Sequence, residues 1–151
     1  MHYEITKGEF SISTAQDRLD IEMIHRFLSE ESYWSKHIPK ETVEAYIPNS
    51  LCFGVYKGEE QLGFARLITD YTTFAYLGDV FILPSHRGQG LGKWLMESML
   101  NHPQMQSLRR WLLFTEDAHG LYSQYGFVAL PRVERAMAKI NFTAYAVAPK
   151  K

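Results

Sequence analysis

The stretch that most constrains this 151-residue chain runs from Phe74 to Met99. An apolar run, Phe74 to Leu83, stops at Pro84, crosses Arg87-Gly88-Gln89-Gly90-Leu91-Gly92, and gives way to Leu91, Trp94, Leu95 and Met99 at helical intervals. Glycines crowded this closely cost too much inside a strand or a helix, so they form the connection between one and the other. A strand feeding a glycine turn that opens a helix is an anion cradle. The unsatisfied amide hydrogens of the helix start point outward, and the helix dipole favours negative charge there.

Spacing excludes two better-known cradles. Gly88, Gly90 and Gly92 give G-x-G-x-G rather than the dinucleotide pattern G-x-G-x-x-G. The nucleoside-triphosphate loop needs four residues between its glycines and then Lys followed by Ser or Thr, whereas Lys93 is followed by Trp94. Magnesium would lose its hydroxyl ligand.

Around this unit the periodicity predicts a mixed α/β chain. Tyr3 to Ile12 alternates as a first strand and its turn, and Asp20 is placed to cap a helix running through Ile21, Ile24 and Leu28 to Glu31. Pro39 starts a second helix through Val43, Tyr46 and Ile47. Leu51 to Tyr56 and Gln61 to Thr69 form a hairpin, and Trp111 to Phe114 is a short strand. Leu121, Tyr122 and Tyr125 lie on a helix closed by Gly126, with Phe127 to Leu130 and Met137 to Ile140 as last strands. No linker-like shift in composition divides residues 1–151, so one domain is expected.

A net charge of −1 disfavours a nucleic-acid partner. The single cysteine, Cys52, admits no intrachain disulfide and no cluster of metal-ligand thiolates, so no metal is expected. Nothing approaches the length of a membrane span or an apolar leader. A reducing, cytoplasmic setting is the expectation.

Leu83-Pro84-Ser85-His86-Arg87-Gly88-Gln89-Gly90-Leu91-Gly92 resembles the acetyl-CoA signature R/Q-x-x-G-x-G/A of the GNAT superfamily of N-acetyltransferases. Further on, Ala118-His119-Gly120-Leu121-Tyr122-Ser123-Gln124-Tyr125-Gly126-Phe127 resembles that family's A-x-x-L-Y-x-x-x-G-F helix end. The resemblance implies a mostly antiparallel sheet with one parallel, splayed pair, flanked by about four helices. It implies that the amides of Gly88 to Lys93, with Arg87, Gln89 and Leu91 among the turn residues, hold the cofactor pyrophosphate. It also implies that Val80, Phe81 and Ile82 pair with the pantetheine like an added strand, beside a bulge that splays the sheet. A homodimer through a sheet edge is admitted.

The activity so implied is direct transfer of acetyl from acetyl-CoA to a primary amine of a small molecule; the alternative is an acyl-CoA-binding sensor without catalysis. An alkylamine with the ordinary pKa near 10.4 is neutral in only about one molecule in a few thousand at pH 7, so something must take its proton. Tyr122 resembles the family's general acid for the leaving thiolate. For the base, Tyr76 and Gly78 stand where relatives carry glutamate or histidine, leaving Asp79, Glu116 and His119 as candidates, with Asp79 on the strand itself. Tyr33, Trp34 and Tyr76 are candidates for lining the acceptor pocket. Cys52 is expected to be a buried apolar residue.

Overall fold

The computed structural model describes residues 2–145. They belong to two compact units that divide between Leu113 and Phe114.

The first unit is built on a six-stranded sheet laid out in chain order: β1 (Glu4–Lys7), β2 (Phe10–Ser13), β3 (Leu51–Lys57), β4 (Glu60–Thr69), β5 (Phe74–Ile82) and β6 (Arg110–Leu112). Every neighbouring pair is antiparallel except β5 and β6, which run parallel. The chain enters β5 through a turn built by Asp70. Its carboxylate accepts the Thr73 hydroxyl and the amides of Thr72, Thr73 and Phe74, and these bonds hold it well below the usual carboxylate range.

Three helices cover this sheet: α1 (Ile21–Arg26), α2 (Lys40–Tyr46) and α3 (Leu91–Leu100). Asp20 caps α1 as its sequence position suggests, its Oδ1 accepting from the Met23 amide at 3.0 Å, and the helix continues to Glu31 as a wider π turn. The α1–α2 side buries Met23, Ile24, Phe27, Leu28 and Val43 against Cys52, Phe64 and Phe81, with Phe27 and Phe81 stacked at 3.9 Å. Adjacent Phe53 faces the other way, its ring edge-on to His102 just past α3. Successive strand side chains alternate between faces, so α1–α2 and α3 sandwich the sheet.

In the second unit, α4 (His119–Ser123) starts where Thr115 Oγ1 accepts from the Ala118 amide at 3.1 Å. Three residues past its last residue, Gly126 has a φ of 90°, the left-handed stop predicted for it. The amide of Phe127 returns to the Tyr122 carbonyl at 3.3 Å, and its ring meets that of Tyr122 edge-on at 5.9 Å. The G-F pair is therefore a helix stop with its hydrophobic contact.

The last strands expected at Phe127 to Leu130 and Met137 to Ile140 do not form among the described residues. Neither segment has a ladder partner there. Pro131, Arg132 at φ 56° and a 3-10 turn over Val133–Arg135 interrupt the chain between them.

Candidate active site

β5 is a normal partner of β4 as far as Gly78, which faces Arg66. Two positions on, Phe64 faces Phe81, so the single residue Ala65 stands opposite two, Asp79 and Val80. This is a β-bulge, and its second residue, Val80, is the first of those expected to meet the pantetheine. Its first residue, Asp79, has φ 56°, a left-handed conformation that aspartate tolerates better than most residues.

The other edge of β5 opens at nearly the same level. β6 pairs only with Phe74, Ala75 and Tyr76, leaving Leu77 to Ile82 without a β6 register partner in this unit. Three paired residues followed by an open edge is the splayed parallel pair that the resemblance implies.

Beyond Ile82 the chain makes a 3-10 turn over Pro84–His86 and passes through Gly88 and Gly90, at φ 83° and 81°. Glycine is needed there for backbone conformation, because a Cβ at either would meet nothing within 4 Å. Gly90 is the N-cap of α3 and no side chain caps that end. A helix start of this kind, on a ten-residue helix, can take an external acceptor on its first-turn amides. At Gly92 a Cβ would come no closer than 3.9 Å to Ile82, an ordinary contact, so packing does not demand glycine. A ligand lying against the first turn would. These features fit a pyrophosphate. Arg87 braces the turn, its Nε donating to the Ile82 carbonyl at 2.9 Å. Beside the turn lies a cavity of about 650 Å³ whose lining includes Lys7, Lys57, His86, Gln89 and Trp94.

Asp79 occupies the α1–α2 side of the sheet, its side chain 6% exposed. Oδ2 accepts from Arg66 Nε at 2.6 Å and Oδ1 from the Trp34 indole N–H at 2.9 Å. Arg66 also donates to Ser50 Oγ at 3.2 Å and lies over the Tyr46 ring, 3.7 Å from its centroid. The carboxylate expected as a base candidate is thus one half of a buried ion pair. Burial and the Asp79 charge push the phenol of Tyr46 far up and that of Tyr76 up, which keeps both as proton donors. Burial pushes the Cys52 thiol up to about 12. The residue is buried, as the sequence suggests, and burial disfavours its thiolate.

Of the acceptor-pocket candidates, Tyr33 and Trp34 sit on the loop after α1, 44% and 40% exposed, with rings edge-on at 5.0 Å. Ser32 fixes that loop, donating to the Leu28 carbonyl and accepting the Ser35 amide. Trp34 and Asp79 are brought together. Tyr122, Glu116 and His119 belong to the second unit, with His119 opening α4. Arg66, Tyr46 and Ser50 were not singled out from the sequence, although a lone arginine inside the apolar run Gln61 to Thr69 signals a buried charge that needs a partner. Among the described residues no cluster could hold a metal ion, and no helix is long and apolar enough to cross a membrane.

The model of the acetyltransferase (GNAT) family matches residues 21–127. A Gibberella zeae protein named as a candidate acetyltransferase is 32% identical over 139 residues, covering 79% of this chain and 78% of its own. A Gracilaria tenuistipitata protein, an uncharacterized N-acetyltransferase by name, is 31% identical over 58% of this chain and 48% of its own length. Among solved structures, a Xanthomonas campestris protein described as a candidate GNAT-family acetyltransferase is 47% identical, with a TM-score of 0.86 over 91% of this chain and 97% of that one.

Proposed function

The chain belongs to the GNAT acetyltransferase family, and on that footing we propose that it is an N-acetyltransferase moving acetyl from acetyl-CoA directly to a primary amine of a small molecule in a ternary complex. One observation carries this reading. The uncapped start of α3 follows two left-handed glycines, next to a strand edge that opens beyond Tyr76. The N-acetyltransferase name of the Gracilaria relative supports an amine as acceptor. The single, buried Cys52 supports a reducing, cytoplasmic setting.

Acetyl-CoA would supply the activated acyl group as its thioester. In this reading the amides of Gly88 to Lys93 hold the pyrophosphate, and the main chain of Val80, Phe81 and Ile82 hydrogen-bonds the pantetheine amides along the open edge. The Val80 amide would be the donor to the thioester carbonyl oxygen, where transfer develops negative charge. Tyr122, in the family's A-x-x-L-Y segment, would supply a phenol proton to the departing sulfur, and the proton the amine loses on attack would pass to water and restore the phenol. Tyr33, Trp34 and Tyr76 line the acceptor side. Positioning the amine supplies much of the rate.

One observation favours a non-catalytic acyl-CoA sensor instead: Asp79, the carboxylate on the strand, is already committed to Arg66. Calorimetry with acetyl-CoA followed by thiol release across a panel of primary amines separates the two. An enzyme binds and turns over; a sensor binds and releases no thiol.

A further inference from the structure

We infer that Asp79 is a positioning residue that clasps the acceptor loop to the bulge of the cofactor strand, through Trp34 on one oxygen and Arg66 on the other. The inference rests on the reading above for what the two sides bind. Its geometry stands apart from that reading.

Three segments meet at this carboxylate, the loop after α1 through Trp34, β4 through Arg66 and the bulge itself, and Arg66 carries the contact on to the end of α2 and its following turn through Tyr46 and Ser50. Asp79 is the residue whose left-handed backbone makes the bulge, and its side chain is almost wholly buried. Among the described residues three other non-glycine residues have positive φ, at His37, Tyr71 and Arg132, and all three are exposed. A non-glycine residue at positive φ in a strand persists where its surroundings over-determine it. Here the surroundings are a 2.6 Å charge-assisted bond across to β4 and a 2.9 Å bond to an indole. The same carboxylate therefore fixes the main chain offered to the pantetheine and the loop offered to the amine. Its work is to set both in one geometry.

Pairs of substitutions separate the clasp from backbone strain. Asp79→Gly keeps the left-handed conformation and loses the clasp, Asp79→Ala loses both, and Trp34→Phe removes only the indole donor. Amide hydrogen exchange of the free protein should rise about tenfold or more in residues 32–38 in all three variants, and in residues 79–82 strongly for Asp79→Ala and weakly for Asp79→Gly. Acetyl-CoA affinity by calorimetry should fall about tenfold for Asp79→Ala, stay within about threefold for Asp79→Gly, and stay near wild type for Trp34→Phe. Trp34→Phe changes a half-exposed ring and keeps the test open if an Asp79 variant does not fold. Unchanged exchange of the loop in Trp34→Phe and Asp79→Gly overturns the clasp, whatever acetyl-CoA does. A wild-type protein that fails to bind acetyl-CoA overturns the cofactor reading and leaves the exchange test of the clasp standing.

Discussion

Arg87 donates its Nε to the carbonyl of Ile82, five residues back, at 2.9 Å. The bond closes the chain between the end of β5 and the glycine turn into a ring, so the two proposed contact surfaces for the cofactor keep a fixed spacing. Arg87→Ala should therefore weaken acetyl-CoA binding by about tenfold with little loss of thermal stability, and Arg87→Lys should recover part of it. Calorimetry reads the difference, and equal affinity in all three proteins would show that the brace has no role in binding.

Gly90 allows a sharper separation of conformation from contact. A methyl group there has open space, so any effect of Gly90→Ala comes from a φ of 81° that alanine resists by about 1–2 kcal/mol. The variant should unfold at lower denaturant and bind acetyl-CoA more weakly, because relaxing φ turns the first-turn amides away. Full stability together with full affinity would contradict the turn geometry.

His102 gives a pH dependence whose sign is fixed. Burial lowers its pKa below the ordinary 6.5, and its Nδ1 accepts the Gln104 amide at 3.1 Å, which requires the neutral ring. The unfolded chain then binds the extra proton more readily than the folded one. The contribution is complete above about pH 6.5 and is lost as the pH falls toward the lowered folded value. Urea unfolding between about pH 7.5 and 5.5 should show wild type losing stability faster than His102→Asn, which keeps a capping acceptor without the titration. Parallel curves would contradict it.

Tyr122→Phe keeps the edge contact with Phe127 and removes only the hydroxyl. Turnover should fall by about a hundredfold while acetyl-CoA affinity stays within about twofold. A matched loss of both would make the tyrosine structural.

Much of the fold was legible in residue periodicity: the helix capped by Asp20, the β3–β4 hairpin, and the strand, glycine turn and helix around Arg87. Local chemistry decides those. Phe127 to Leu130 and Met137 to Ile140 were misjudged because β-propensity measures fit to a partner strand, and neither segment has one among the described residues. In the site, the cradle was legible because glycine spacing acts over a few bonds. The clasp was not, since Trp34, Arg66 and Asp79 are far apart in sequence and meet only through packing. Arg66 in Gln61 to Thr69 and Asp79 in Phe74 to Ile82 are each a lone charge in an apolar run, and antiparallel pairing of those strands makes them natural partners.

The most direct test of the central claim is thiol release from acetyl-CoA by the purified wild-type protein across a panel of small primary amines, run beside Tyr122→Phe. The proposed function predicts amine-dependent release that follows an acetyl-CoA binding isotherm and drops about a hundredfold in the variant. Tight acetyl-CoA binding with no release above the amine-free background for any amine would contradict it and leave a sensor.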